Sequence, residues 1–312
     1  MKCLIVRFLC VTALCTNLAI ASEISLPDQL VADFAYLADA SLEGRKPGTN
    51  GSLAAQEYIA QRYREADLLV ATGGNDYRHA FDNDRTIGRQ FGVNLIGHRQ
   101  AELTQIIVIT AHYDHIGKIS GRIHPGADDN ASGVAVLLSL ARRTQLSPLS
   151  HQILFVATDS EEKGLHGAKA LLADFPGDVE QVVYNLNLDM LARVGRPARL
   201  YLTGINTHTA FTGIVEQLNE QLLQDSALRL IKEHRQPRGR RSVSQQINYK
   251  NASDHAVFAD HGIPYLFFGV GGHNDYHTPR DTFERVEVDL FIEVEALAWA
   301  LLLATDQRLQ SE

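Results

Sequence analysis

Cysteine is almost missing from this chain. Its three copies, Cys3, Cys10 and Cys15, all lie near the start, inside a segment that reads as a removable leader. The remainder then carries no thiol, which excludes a disulfide framework and leaves His, Asp and Glu as the side chains able to hold a metal. A surplus of basic residues is missing too: 29 Lys and Arg stand against 37 Asp and Glu, a formal net charge of −8. A nucleic-acid partner calls for the opposite sign and is not expected. The one basic stretch, Arg235 to Arg241, lies in a polar segment and reads as a solvated loop. Beyond Ile20 no apolar run approaches the length of a membrane span. Internal repeats, low-complexity tracts and long linkers are absent as well.

What is present begins with Lys2 and Arg7, an apolar stretch from Phe8 to Ile20, and the small-x-small site Ala19-Ile20-Ala21. Residues 1–21 therefore read as a signal peptide, with export to the periplasm or the medium as the expectation and no membrane association after cleavage. Leu14 ahead of Cys15 is a poor match to the small residue of a lipoprotein signal. Without Lys2 and Arg7 the net charge becomes about −10. Residues 22–312 are long enough to bury a core without cross-links and are expected to form one domain.

Two amphipathic helices are expected first, Ser25 to Ala40 and Ser52 to Ala66, joined by the turn-rich Gly44-Arg45-Lys46-Pro47-Gly48; the polar stretch from Gly73 to Gly92 reads as loop with an edge strand. The pattern then becomes regular. Ile106 to Ile109, Ile153 to Val156, Val182 to Leu188, Leu200 to Leu202 and Ile263 to Phe268 read as strands. Helices are expected over 130–141, 166–175, 207–223 and 288–303. The alternation gives an α/β fold, a three-layer α/β/α arrangement around a mixed, mainly parallel sheet.

Chemistry-bearing residues fall where these strands end. His112, Tyr113 and Asp114 follow one strand, Glu161 and Glu162 another and Asp189 a third; Gly126-Ala127-Asp128-Asp129-Asn130 opens a helix, and Tyr276-His277 lies beyond a fourth strand. Ligands of open α/β sheets bind beyond such carboxyl ends. Imidazole with carboxylate suits Zn²⁺. A carboxylate beside His112 can accept the N–H of a metal-bound ring, a role that suits Asp114. Either Asp128 or Asp129 can lie between two cations; spacing does not say which. Glu161 and Glu162, read as neighbours in an extended segment, point to opposite sides. One can then bind metal while the other acts as general base.

Six ordered blocks carry a resemblance: His112-x-Asp114, Gly126 to Gly133, Asp159-Ser160-Glu161-Glu162-x-Gly164-Leu165-x-Gly167, Asn187-Leu188-Asp189-Met190, Ser253-Asp254-His255-x-x-Phe258, and Tyr276-His277-Thr278-Pro279-x-Asp281-Thr282. Together they resemble the two-zinc aminopeptidase family of secreted bacterial leucyl aminopeptidases, from about Gly44 to Arg285. The resemblance implies two Zn²⁺ per chain. His112 and Asp189 would hold one, Glu162 and His277 the other, with Asp129 between them. Glu161 would be the general base of a metal-bridging hydroxide, Asp114 the partner of His112, and Tyr276 a donor to the oxyanion; the peptide bond after Asp129 would be cis. Asp129, Glu162 and Asp189 return three of four positive charges, a balance that favours hydroxide near neutral pH. The chain has no room before Ile106 for the protease-associated insert of many relatives, nor for the lid of carboxypeptidase-like ones.

The implied substrates are peptides with a free N-terminus. A glutaminyl-peptide cyclotransferase shares the fold but needs one zinc and an aromatic pocket, and the sole tryptophan, Trp299, lies in the last helix. A carboxypeptidase or dipeptidase is an alternative, with Arg238, Arg240 or Arg241 receiving a terminal carboxylate. A non-catalytic binding domain is disfavoured, since no ligand and no base is missing. Asp254 is open between capping a helix beside the pocket and a substrate-side role. His273 reads as a loop residue, and His79, His98, His151 and His208 as surface. Side-chain preference and oligomeric state are not readable.

Overall fold

The computed structural model describes residues 24–82, 91–222, 226–234 and 248–311. The expected signal peptide, part of the polar stretch before Gly92, and the Arg235 to Arg241 segment with its three candidate arginines lie outside the described residues. In chain order the helices are α1 Leu26–Leu37, α2 Asn50–Glu65, α3 Gly133–Leu146, α4 His166–Ala173, α5 Ile214–Leu222, α6 His255–Asp260 and α7 Val288–Leu309. The strands are β1 Leu69–Val70, β2 Arg78–Asp82, β3 Phe91–Arg99, β4 Ile106–His112, β5 Gly117–Ile119, β6 Arg122–His124, β7 Gln152–Thr158, β8 Val182–Leu188, β9 Arg199–Thr203, β10 Arg229–Lys232 and β11 Tyr265–Gly269.

Among the described residues nine strands form one sheet in the order β1-β3-β7-β4-β8-β11-β9-β10, with β2 also on β3. The central block β7-β4-β8-β11 is parallel, whereas β3 meets β7 and β9 meets β11 antiparallel. The mixed α/β sheet expected from sequence is present, its parallel pairs being those of this block and the edge pair β9–β10. Because those four strands run the same way, their carboxyl ends share one rim. Alternation distributes their side chains to two faces. Ile107, Ile109, Phe155 and Ala157 enter the large core under α1, α2, α3, α5 and α7, while Val108, Leu154 and Val156 enter a smaller one with Leu171 of α4 and Phe258 of α6.

Local chemistry sets the helix ends. Ser25 and Thr49 accept backbone N–H groups at the starts of α1 and α2, as capping residues do. The helix expected over 207–223 is split into a short turn, Thr209–Phe211, and α5, with Gly213 at φ 73° between them. No helix among the described residues is long and apolar enough to cross a membrane.

Candidate metal centre

β4 delivers His112 to the rim, and β8 places Asp189 one residue past its end. After β7, Ser160 adopts a left-handed conformation (φ 59°) and turns the chain into a single 3-10 turn, Glu161–Lys163. Glu161 and Glu162 therefore diverge from a tight turn, not from the extended segment read from sequence. The turn Ala127–Ser132 supplies Asp129, and the Asp129–Asn130 peptide bond is cis, as the resemblance implied.

Two groups of donors meet at Asp129. On one side His112 Nε2 lies 3.3 Å from Asp129 Oδ1 and 3.4 Å from Asp189 Oδ1. On the other His277 Nε2 lies 3.0 Å from Asp129 Oδ2 and 3.1 Å from Glu162 Oε2. His115 joins this second group, its Nδ1 2.7 Å from Glu162 Oε1 and 3.6 Å from Asp129 Oδ2. Glu161, Tyr276 and Met190 line one pocket with His112, Asp129 and Asp189, and Tyr249, Ala252, Phe267 and Val270 complete its wall. All eight residues singled out from sequence converge here.

The donors fit a metal. Asp129 Oδ2, Glu162 Oε1, Asp189 Oδ1, His277 Nε2 and both nitrogens of His115 are buried and make no hydrogen bond, an expensive condition for polar atoms unless a cation satisfies them. The electrostatics agree. Burial by itself would lower the imidazoles, yet Glu161 and Asp189 hold His112 well above its usual range, and Asp129 and Glu162 hold His277 up at about 10. A cavity that draws protons onto its histidines is one that favours positive charge. Burial also pushes the Glu161 carboxyl well above the ordinary carboxylate range, with His112 opposing and Asp189 adding to the rise. Tyr276 is raised likewise by burial and by the carboxylates around it, so its hydroxyl keeps its proton.

A surrounding layer holds these groups in place. The nearer acceptor for His112 Nδ1 is the Asp114 carbonyl oxygen, at 3.1 Å; the Asp114 carboxylate stands 3.8 Å away and accepts the Glu161 N–H at 3.0 Å. Asp114 thus orients both residues, though by a different atom than expected. Asp128 faces away from Asp129, accepting the N–H groups of Ala192 and Arg193 and lying 3.0 Å from His273 Nε2. Asp281 accepts the N–H groups of both Asp128 and Asp129 at 3.1 Å. Asp275 accepts from Arg193, Arg280 and Arg285, each at 2.7 Å, and anchors the loop carrying Tyr276 and His277. Against the burial that would raise it, those arginines hold its carboxyl well below the usual range.

Sequence reasoning gave no role to His115, Asp275, Asp281 or Arg45. Asp281 sat inside a recognised block and His115 beside Asp114, but only tertiary contacts reveal their partners. Arg45 is fully buried and donates to the carbonyls of Leu37, Tyr113, Pro125 and Gly126. Two further readings change. Asp254 makes no cap bond at α6, and its carboxylate accepts the Thr158 hydroxyl instead. His151 is buried against Asp306 and is not a surface residue.

A sequence model of Peptidase family M28 matches residues 94–302. The chain belongs to this family. It is similar to the alkaline phosphatase isozyme conversion protein of Escherichia coli (strain K12), 31% identical over 206 residues, or 61% of this chain and 56% of that protein. It is also similar to aminopeptidase YwaD of Bacillus subtilis (strain 168), 26% identical over 208 residues, or 63% of this chain and 41% of that protein. The matched segments thus span about half the length of these curated relatives. A solved structure titled as BSAP, a zinc aminopeptidase from Bacillus subtilis, superposes with a TM-score of 0.67 at 17% identity, covering 90% of this chain and 95% of that one. The M28 chain described here has the α/β fold of the zinc exopeptidases.

Proposed function

We propose that this M28 chain is an exported, zinc-dependent aminopeptidase in which residues 22–312 act as one catalytic domain holding two Zn²⁺. The observation that carries the reading is the pair of donor groups meeting at Asp129, with Glu161 and Tyr276 in the same pocket. His112, Asp129 and Asp189 would hold one ion, and Asp129, Glu162 and His277 the other. Bound zinc supplies Lewis-acid polarisation of the scissile carbonyl and makes water acidic enough to attack near neutral pH.

The chain's own groups do the rest. Glu161 is suited to take the proton of the attacking water and return it to the departing amine, and burial keeps its affinity for that proton high. Tyr276 retains its phenolic hydrogen and can donate to the oxygen that gains charge. Met190, Tyr249, Phe267 and Val270 offer an apolar wall for the side chain of the first residue. Export rests on the leader-like residues 1–21 alone.

The decisive experiment is product analysis on aminoacyl-anilides and short peptides, with and without a chelator. Release of the N-terminal amino acid, abolished by chelation and by N-acetylation of the substrate, is the expected result. Ammonia from N-terminal glutamine would assign cyclisation instead. Release from the carboxyl end would assign a carboxypeptidase.

A further inference from the structure

We infer that His115 is a fourth protein donor at the Glu162–His277 position, so that the two ion positions differ in kind. The inference rests on the zinc-binding reading above, not on the choice of substrate. His115 is fully buried, and neither ring nitrogen makes a hydrogen bond. Its Nδ1 is 2.7 Å from Glu162 Oε1, yet the pair is misaligned for N–H donation and both atoms stay without a partner. Two donors facing a common point, in place of each other, have this relationship. The remaining separations agree: 3.6 Å from His115 Nδ1 to Asp129 Oδ2, and 3.0 and 3.1 Å from His277 Nε2 to Asp129 and Glu162. Tetrahedral zinc with bonds near 2.0–2.1 Å spaces its ligands by about 3.3 Å.

The ring is held for this purpose. A side chain at Gly126 would come within 2.5 Å of His115 Cγ, and Gly126 itself sits at φ 62°. On its other flank the ring meets His277 edge-on, centroids 5.5 Å apart at 69°. Two imidazoles thus flank Glu162. Among the described residues the second position offers His115, Asp129, Glu162 and His277, and the first offers His112, Asp129 and Asp189. Four protein donors make a closed position of the structural kind, whereas three leave room for substrate or water. The closed position should fill first and empty last, leaving exchange and substrate contact to the ion beside His112.

Zinc titration of metal-free protein by calorimetry tests this without reference to activity. Wild type should show two classes of site. His115→Ala and the milder His115→Gln should weaken the tighter class by at least the roughly 10–100-fold that loss of an outer-shell partner causes; unchanged affinities in a folded variant would overturn the inference. X-ray absorption of unmodified protein with one equivalent of zinc needs no variant: two imidazoles per zinc are expected, and one would refute it. Failure to cleave peptides with both metal results intact would sink only the proposed function. Failure to bind zinc at all would sink both.

Discussion

Neighbouring residues in this centre take opposite jobs, and the backbone decides which. Asp128 and Asp129 are chemically identical, but the turn aims Asp129 at both donor groups and Asp128 at the Ala192 and Arg193 amides. Glu161 and Glu162 divide in the same manner. Glu161→Gln should therefore retain zinc while lowering turnover by about 10²–10⁴-fold; metal analysis beside steady-state rates checks this, and full activity would reject the assignment. Arg45 works at one remove, its guanidinium gathering four carbonyls from the segments around the centre. Burial lowers its pKa to about 10, with Asp129, Asp114, Asp281 and Glu162 opposing the fall. Arg45→Met strips those buried carbonyls of their donor and should cost roughly 3–5 kcal/mol, read as a shift in the urea unfolding midpoint. The donor types at strand ends were legible in sequence because metal chemistry restricts them. The roles of Arg45, Asp281 and His115 were not: Arg45 reaches carbonyls 68 to 81 positions away, Asp281 binds amides 152 and 153 positions away, and His115 is defined by its ring's orientation.

Among the elements, those buried on both faces announced themselves. β4, β7, β8 and β11 are near-continuous apolar runs. β3 did not, because Gly92, Asn94, Gly97, His98 and Arg99 interrupt it, although Leu95 and Ile96 are fully buried. α6 is too short and too polar at its start to show a helical period. The closing helix runs beyond the sequence expectation to Leu309, and its last turns carry a clamp: Asp306 accepts the N–H groups of Ser150 and His151 and pairs with His151 Nδ1 at 2.8 Å. Asp306→Ala leaves those donors without a partner and should cost about 1–3 kcal/mol at neutral pH. Against its burial, the His151 contacts hold Asp306 below the usual carboxylate range. A depressed folded-state value means the stabilisation is full above the unfolded pKa and drains as pH falls through the folded one. The gap between wild type and variant in denaturant midpoints should accordingly narrow under acid; a gap independent of pH would reject the clamp.

At the scale of the whole molecule, the donors tie the ends of β4, β7 and β8 to the loop after β11. A ligand that binds the folded state alone stabilises it by RT ln(1 + [L]/Kd), about 2.7 kcal/mol at a hundredfold excess over Kd. Chelation should then lower the melting temperature by roughly 5–10 °C, measured by calorimetry with and without a zinc-replete buffer. An unchanged melting temperature would mean that metal does not brace the rim. The parallel block has a further consequence in time. Its shared rim is assembled from positions 112 to 277, and His277 follows the last central strand to be synthesised. A growing chain presents His112, Asp129 and Asp189 early, but neither the pocket wall from Tyr249 to Tyr276 nor the second ion position is complete until His277 has emerged, so a nascent or prematurely ended product carries an unfinished site.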